Sequence, residues 1–215
     1  MSDRAEHFDP ALGLLEFDSI VAGIVAGDAM VKAAPVGSIY AGTVHPGRSL
    51  GLVSGDTASV EVALEVGRDV GGTAVLDSIF LPDIHPDVTA AIVATDETAT
   101  ADGEAVGVLE SATIATVIEA ADAGVKAAPI TVASVRLADG LGGKGYLVFG
   151  GVLAEVEAAM EAAVARAEPT GALRHAVVVP QLAAEMRHNL ATDLRFNMRL
   201  TARPAERAGG PDSAG

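Results

Sequence analysis

The chain carries one segment twice. Ala11 to Val36, "ALGLLEFDSIVAGIVAGDAMVKAAPV", aligns without a gap on Ala105 to Ile130, "AVGVLESATIATVIEAADAGVKAAPI", with 14 of 26 positions identical. The offset of 94 residues is the size of a domain and not of a solenoid repeat, so two homologous units stand in tandem. Whatever one unit folds into, the other must fold into as well. The boundaries expected from this are residues 1–10 as an N-terminal extension, 11–93 as the first unit and 105–200 as the second. Between them, 94–104 ("ATDETATADGE") has no large apolar residue and reads as a solvated linker, and 201–215 ("TARPAERAGGPDSAG") reads as a disordered tail.

Both units present the same order of elements. Leu12–Phe17 and Val106–Leu109 read as short buried strands. Ser19 and Thr113 are placed to N-cap helices with apolar positions at Ile20, Ile24 and Val31, and at Ile114, Ile118 and Val125. Pro35 and Pro129 stop these helices. A second strand (Val36–Val44; Ile130–Leu137), a Gly-rich loop and a third strand (Leu50–Val53; Tyr146–Phe149) follow. A second helix carries Val60, Leu64, Gly67 and Val70, or Val156, Met160 and Ala163, and a last strand (Val75–Leu81; Ala176–Val179) closes each unit. The order β-α-β-β-α-β belongs to the α+β class, an antiparallel sheet with helices over one face.

Charge and composition narrow the partners. With 14 basic against 29 acidic residues, a net charge of −15 and no basic run, nucleic acid and anionic membranes are not expected partners. There is no cysteine, hence no disulfide and no thiolate-held metal or iron–sulfur cluster. The acidic N-terminus is no signal peptide, no segment approaches a membrane span, and the expected location is the cytoplasm. No G-x-S-x-G elbow, H-E-x-x-H pair or cysteine nucleophile is present, so no enzyme is expected.

The "DAMVKAAPV" and "DAGVKAAPI" segments, each after a Gly-Leu/Val-Leu-Glu strand and before a Gly-rich loop and second helix, resemble the BMC domain of bacterial microcompartment shell proteins. Two in tandem, in unpermuted order, resemble the trimeric, pseudohexameric class of that family, and "HPGR", "GLGGKGY" and "LPDIHPDV" are similar to the propanediol-utilisation type. The resemblance runs from about Ala11 to about Leu190. It implies ferredoxin-like domains, a homotrimer, lateral contacts with other shell proteins in a shell within the bacterial cytoplasm, and a pore that passes small metabolites. It further implies that the pore is lined by Val44, His45, Pro46, Gly47 and Arg48 and by Asp139, Gly140, Leu141, Gly142 and Gly143, with Lys32 and Lys126 at the tile edge. In the proteins resembled, a pore cysteine that can hold an iron–sulfur cluster stands where this chain has His45. Histidine removes that ligand, and no cofactor is expected; three His45 around an axis form the alternative, a metal site with nitrogen ligands at about 2.0–2.1 Å.

Each of these residues also has a plainer reading. His45-Pro46-Gly47-Arg48 opposes Leu141-Gly142-Gly143-Lys144 after a two-residue insertion, and both runs suit a solvated turn that ends in a cation. Lys32 and Lys126 follow Asp28 and Asp122 by four residues, the spacing of a helical ion pair near a C-terminus. "DGLGGKG" lacks the phosphate-loop spacing and precedes a strand, which argues against a nucleotide site. Glu16 and Glu110 occupy equivalent strand positions, which favours a structural or interface role over acid–base work. His85, His175 and His188 have no ligand partner at i+3 or i+4. A ligand-binding regulator is the competing function class, since duplicated ferredoxin-like units host many functions.

Overall fold

A computed structural model describes residues 10–93, 103–138 and 140–191. Residues 1–9 of the expected extension, most of the linker, Asp139, residues 192–200 at the end of the expected second unit, and the tail lie outside the described residues. The first half runs β1 (Ala11–Phe17), α1 (Ile20–Ala33), β2 (Ser38–Val44), β3 (Arg48–Gly55), α2 (Thr57–Gly71), β4 (Val75–Leu81) and α3 (Pro86–Val93). The second runs β5 (Ala105–Ser111), α4 (Ile114–Ala127), β6 (Thr131–Leu137), β7 (Gly145–Gly151), α5 (Leu153–Ala167), β8 (Leu173–Val179) and α6 (Ala184–Ala191). Each half has one four-stranded sheet, ordered β2-β3-β1-β4 and β6-β7-β5-β8, with antiparallel pairing throughout.

The central strand is buried along its whole length, which is why Ala11–Phe17 shows no alternation of polar and apolar residues. Its odd-numbered residues meet the helices: Leu15 and Phe17 share a core with Ala26 and Met30 of α1 and Val60, Ala63 and Leu64 of α2. The layers approach closely at Gly67, where an added Cβ would lie 2.5 Å from Leu15 Cδ1 and 2.7 Å from Met30 Sδ. Helix starts are set by side chains, Ser19 Oγ accepting from Ala22 N at 3.3 Å and Asp56 Oδ1 accepting from Ser59 N at 3.0 Å.

Three sequence expectations need correction. Thr113 stands at the N-cap of α4 but its side chain makes no capping bond there. The stripe Ile20, Ile24, Val31 does not face the sheet of its own half; α1 buries Gly23, Ala26, Gly27 and Met30, and the stripe is exposed. The last strand is also not the end of either unit. α3 and α6 follow, and with α3 the opposite face of the first sheet is covered: Leu12, Leu14, Leu52, Ile79 and Leu81 share one core with Ile84, Val88 and the helices of the second half. Eight-residue helices carry too short a period to stand out, α3 opening on Pro86 and Asp87 and α6 being broken by the polar Glu185, Arg187, His188 and Asn189. Strand ends differ by a few residues because ladder pairing with the central strand, not local propensity, sets their length.

Leu64 packs against β1 at Gly13, where an added Cβ would lie 2.6 Å from Leu64 Cδ1. Leu64→Ala leaves a void between helix and sheet that backbone on both sides holds open, and is expected to cost about 2–5 kcal/mol in urea unfolding. A loss below about 1 kcal/mol would mean the layers collapse onto the site.

Candidate functional site

The loops singled out by sequence meet at the seam between the two halves. The strand registers fix the correspondence: Glu16 pairs with Leu50 and Asp77, Glu110 with Tyr146 and His175. Arg48 and Lys144, each two residues before its paired position, are therefore equivalent, and so are Asp77 and His175. The turn 138–144 is two residues longer than 44–48, as the alignment required. The two turns touch. Gly143 has φ +85°, and a Cβ there would come within 3.0 Å of both Arg48 Nη1 and Pro46 Cδ. Only glycine combines that backbone with that proximity.

Arg48 is turned away from the loop tip and into this seam. Its Nη1 donates to Glu16 Oε1 at 2.6 Å, to Gly143 O at 2.9 Å and to Ala112 O at 3.1 Å. The other oxygen of Glu16, Oε2, accepts from Ile114 N at 2.9 Å, the first residue of α4. A carboxylate from the first half thus caps the helix of the second, which explains why Thr113 does not cap it. The Thr113 hydroxyl instead donates to Asp77 Oδ2, as does Thr116 Oγ1 at 3.1 Å. Glu16 has no exposed surface. Burial pushes its carboxyl above the usual range, against the opposing pull of the Ile114 amide and the Arg48 charge.

The equivalent pair in the second half lies open. Lys144 Nζ donates to Glu110 Oε1 at 2.8 Å, with the lysine side chain 53% and the glutamate 34% exposed. The expectation that both turns end in a cation holds, but neither cation stands free. Of the first turn His45, Pro46 and Gly47 are exposed and Val44 is half-buried; of the second, Gly140 and Gly142 are exposed, Leu141 is half-buried and Gly143 is buried. Among the described residues no group of three or more His, Asp or Glu could hold a metal ion.

The two edge lysines differ. Lys32 pairs with Asp28 at 2.5 Å and is largely exposed, whereas Lys126 pairs with Asp122 at 2.7 Å and also donates to the carbonyl of Asp83. Asp122 further accepts from His85 N at 2.8 Å, so this helix end ties the halves together. His85 Nδ1 accepts from Asp87 N at 3.2 Å and shapes the start of α3. His175 is exposed on β8, and the side chain of His188 lies outside the described residues. Sequence reasoning missed the pairing of Glu16 with Arg48; the duplicated Glu and the matched basic residues were the available signal.

Removing Arg48 strands the buried carboxylate. Glu16 has a raised folded-state pKa, so its protonated form favours folding below 4.5 and that contribution is lost as pH rises through the folded pKa. Arg48 limits the loss, since it stabilises the charged form. Arg48→Ala is therefore expected to cost about 3–5 kcal/mol at pH ~7 and distinctly less at pH ~5, measured by urea unfolding. A loss that does not change with pH would separate Arg48 from the charge of Glu16.

Residues 11–84 and 105–182 each match the BMC domain family. The chain is 37% identical over 171 residues to the bacterial microcompartment shell protein PduT of Citrobacter freundii, spanning 80% of this chain and 92% of that protein. A shorter match, 49% over 57 residues, covers 26% of this chain and 34% of the shell protein EutK of Escherichia coli. The solved structure of a microcompartment protein from Desulfitobacterium hafniense is similar with a TM-score of 0.72 and 36% identity over 84% of this chain and 99% of that one. A fused, permuted hexameric shell protein of the RMM microcompartment shares the fold at a TM-score of 0.54 and 22% identity, over 74% and 84% of the two chains. With both halves matching and their elements in unpermuted order, the chain belongs to the BMC-domain family of bacterial microcompartment shell proteins, in its tandem class.

Proposed function

We propose that the chain is a structural shell tile, not an enzyme, that closes with two further copies into a ring of six BMC domains around a pore for small metabolites. The observation that carries this is an unequal burial of equivalent surfaces. On α4, Ala115 and Ile118 are 0% exposed because β4 and the rest of the first half cover them; on α1, the equivalent Val21 and Ile24 are 72% and 65% exposed. The covering side shows the same inequality, with Ile79 of β4 at 4% and the equivalent Val177 of β8 at 53%. Each chain therefore has one filled seam and the two unfilled halves of another. Such a head-to-tail contact closes when the rotation returns to its start, and three two-domain chains fill six equivalent places.

Ring closure supports the pore reading, because it gathers six turns of the kind that touch at Gly143. In this reading His45 and Pro46, with Val44, Gly47 and Gly140, Leu141, Gly142 and Gly143, form the inner rim, while Arg48 holds that rim to the seam. His45 offers hydrogen bonds to polar metabolites when neutral and positive charge when protonated. No cofactor is needed. Lys32, largely exposed at the end of α1 in its pair with Asp28, is available to a neighbouring tile, and lateral contacts of this kind would join tiles into a facet of a shell in the cytoplasm.

Two measurements test the tile. Ile24→Asp should leave secondary structure unchanged yet convert a trimer of about 65 kDa into a monomer, read by light scattering, from a chain of 21.6 kDa; a monomeric wild type, or a trimeric variant, overturns the ring. His45→Ala in assembled shells should change the passage of a charged metabolite more than that of an uncharged one. Equal passage of both through wild-type and variant shells removes His45 from selectivity.

A further inference from the structure

The seam inside the chain predicts the chemistry of the seam between chains, and the following rests on the ring-closure reading. Three positions on the strand side of the filled seam face the start of α4: Glu16, Arg48 and Asp77. Their equivalents in the second half are Glu110, Lys144 and His175, all at least partly exposed. On the helix side, the groups these residues bind are Ala112 O, Thr113, Ile114 N, Thr116 and Gly143 O. The repeat alignment maps the first four onto Asp18, Ser19, Ile20 and Ala22 at the start of α1, and Gly143 onto Gly47 in the first turn; Asp18, Ile20 and Gly47 are exposed.

We infer that each chain docks Glu110, Lys144 and His175 onto the N-terminus of α1 in the next copy, with Glu110 capping Ile20 N and His175 facing Asp18. The α1 amide at Ile20 suits this role. Ser19 satisfies the amide of Ala22 from within the chain, which leaves the first helical turn open to a second acceptor, as Glu16 serves Ile114 across the filled seam.

The substitutions between the seams compensate one another. Inside the chain the strand carries the acid, Asp77, which accepts from the hydroxyls of Thr113 and Thr116, and the residue before Thr113 is the neutral Ala112. Between chains the acid has changed sides: the strand has His175 and the helix side has Asp18. An aspartate retained at both places would set two carboxylates against each other at the end of one helix; the observed pair gives a donor opposite an acceptor. Lys144 in place of Arg48 fits the same contact less rigidly. Its three donors can serve Glu110 and the carbonyls of Asp18 and Gly47, but without the planar fork that fixes Arg48. The chain thus has one permanent seam locked by arginine and one closed on assembly by lysine and histidine.

The test uses the full chain and follows the monomer–trimer equilibrium by sedimentation. His175→Asp puts a carboxylate opposite Asp18 and is expected to weaken the trimer at least tenfold, while the thermal unfolding of the isolated monomer stays unchanged. Adding Asp18→Ala then gives this seam the Asp and Ala of the internal one, and is expected to restore affinity to within about threefold of wild type. A trimer that His175→Asp leaves intact, or that Asp18→Ala does not rescue, overturns the pairing while leaving the ring standing. Absence of any wild-type trimer instead removes the ring itself.

Discussion

A carboxylate with no access to water lies between the two halves, and the surrounding seam is arranged to make it tolerable. Burying Glu16 alone would be prohibitive. Arg48 neutralises one oxygen and the first amide of α4 satisfies the other. Because Arg48 also holds the carbonyls of Ala112 and Gly143, the solution fixes three things together: the position of α4 against β1 and β4, the approach of the second turn, and the orientation of the first. The arrangement sets geometry more than it adds stability, since a buried ion pair often does little more than offset its own desolvation.

From that contact the asymmetry of the molecule follows. Two homologous units in one chain cannot satisfy each other symmetrically, because a head-to-tail interface uses one face of each unit and leaves the complementary faces vacant. The first half uses its strand face and leaves α1 bare; the second buries α4 and leaves β8 bare. Val21, Ile24, Val25 and Val177 are left exposed, and in the proposed ring they are the two halves of an interface between chains. This ties the proposed shell role to packing: closing the ring would cover these apolar faces and gather the turns about its axis.

The sequence shows its limits at the same residues. The periodic apolar positions Ile20, Ile24 and Val31 identify α1 as a helix, but periodicity cannot say whether an apolar stripe meets its own sheet or another chain. Here the sheet is met by Gly23, Ala26, Gly27 and Met30, small residues that allow close approach and carry little hydrophobic signal. Ser19 and Thr113 look like equal caps, yet only Ser19 caps its own helix, since Glu16 of the other half occupies that role at α4.

What the sequence determined alone was the duplication, the β-α-β-β-α-β order, the absence of thiol chemistry and the loops that carry His45 and Arg48. These depend on local pattern and on residue identity, which a linear chain displays directly. Only the tertiary structure decided that Arg48 points into the seam, that α4 is buried where α1 is bare, and that the Glu16 and Glu110 pairs differ in exposure. Those depend on which copy lies beside which, and two nearly identical segments acquire different surroundings only once the chain has folded.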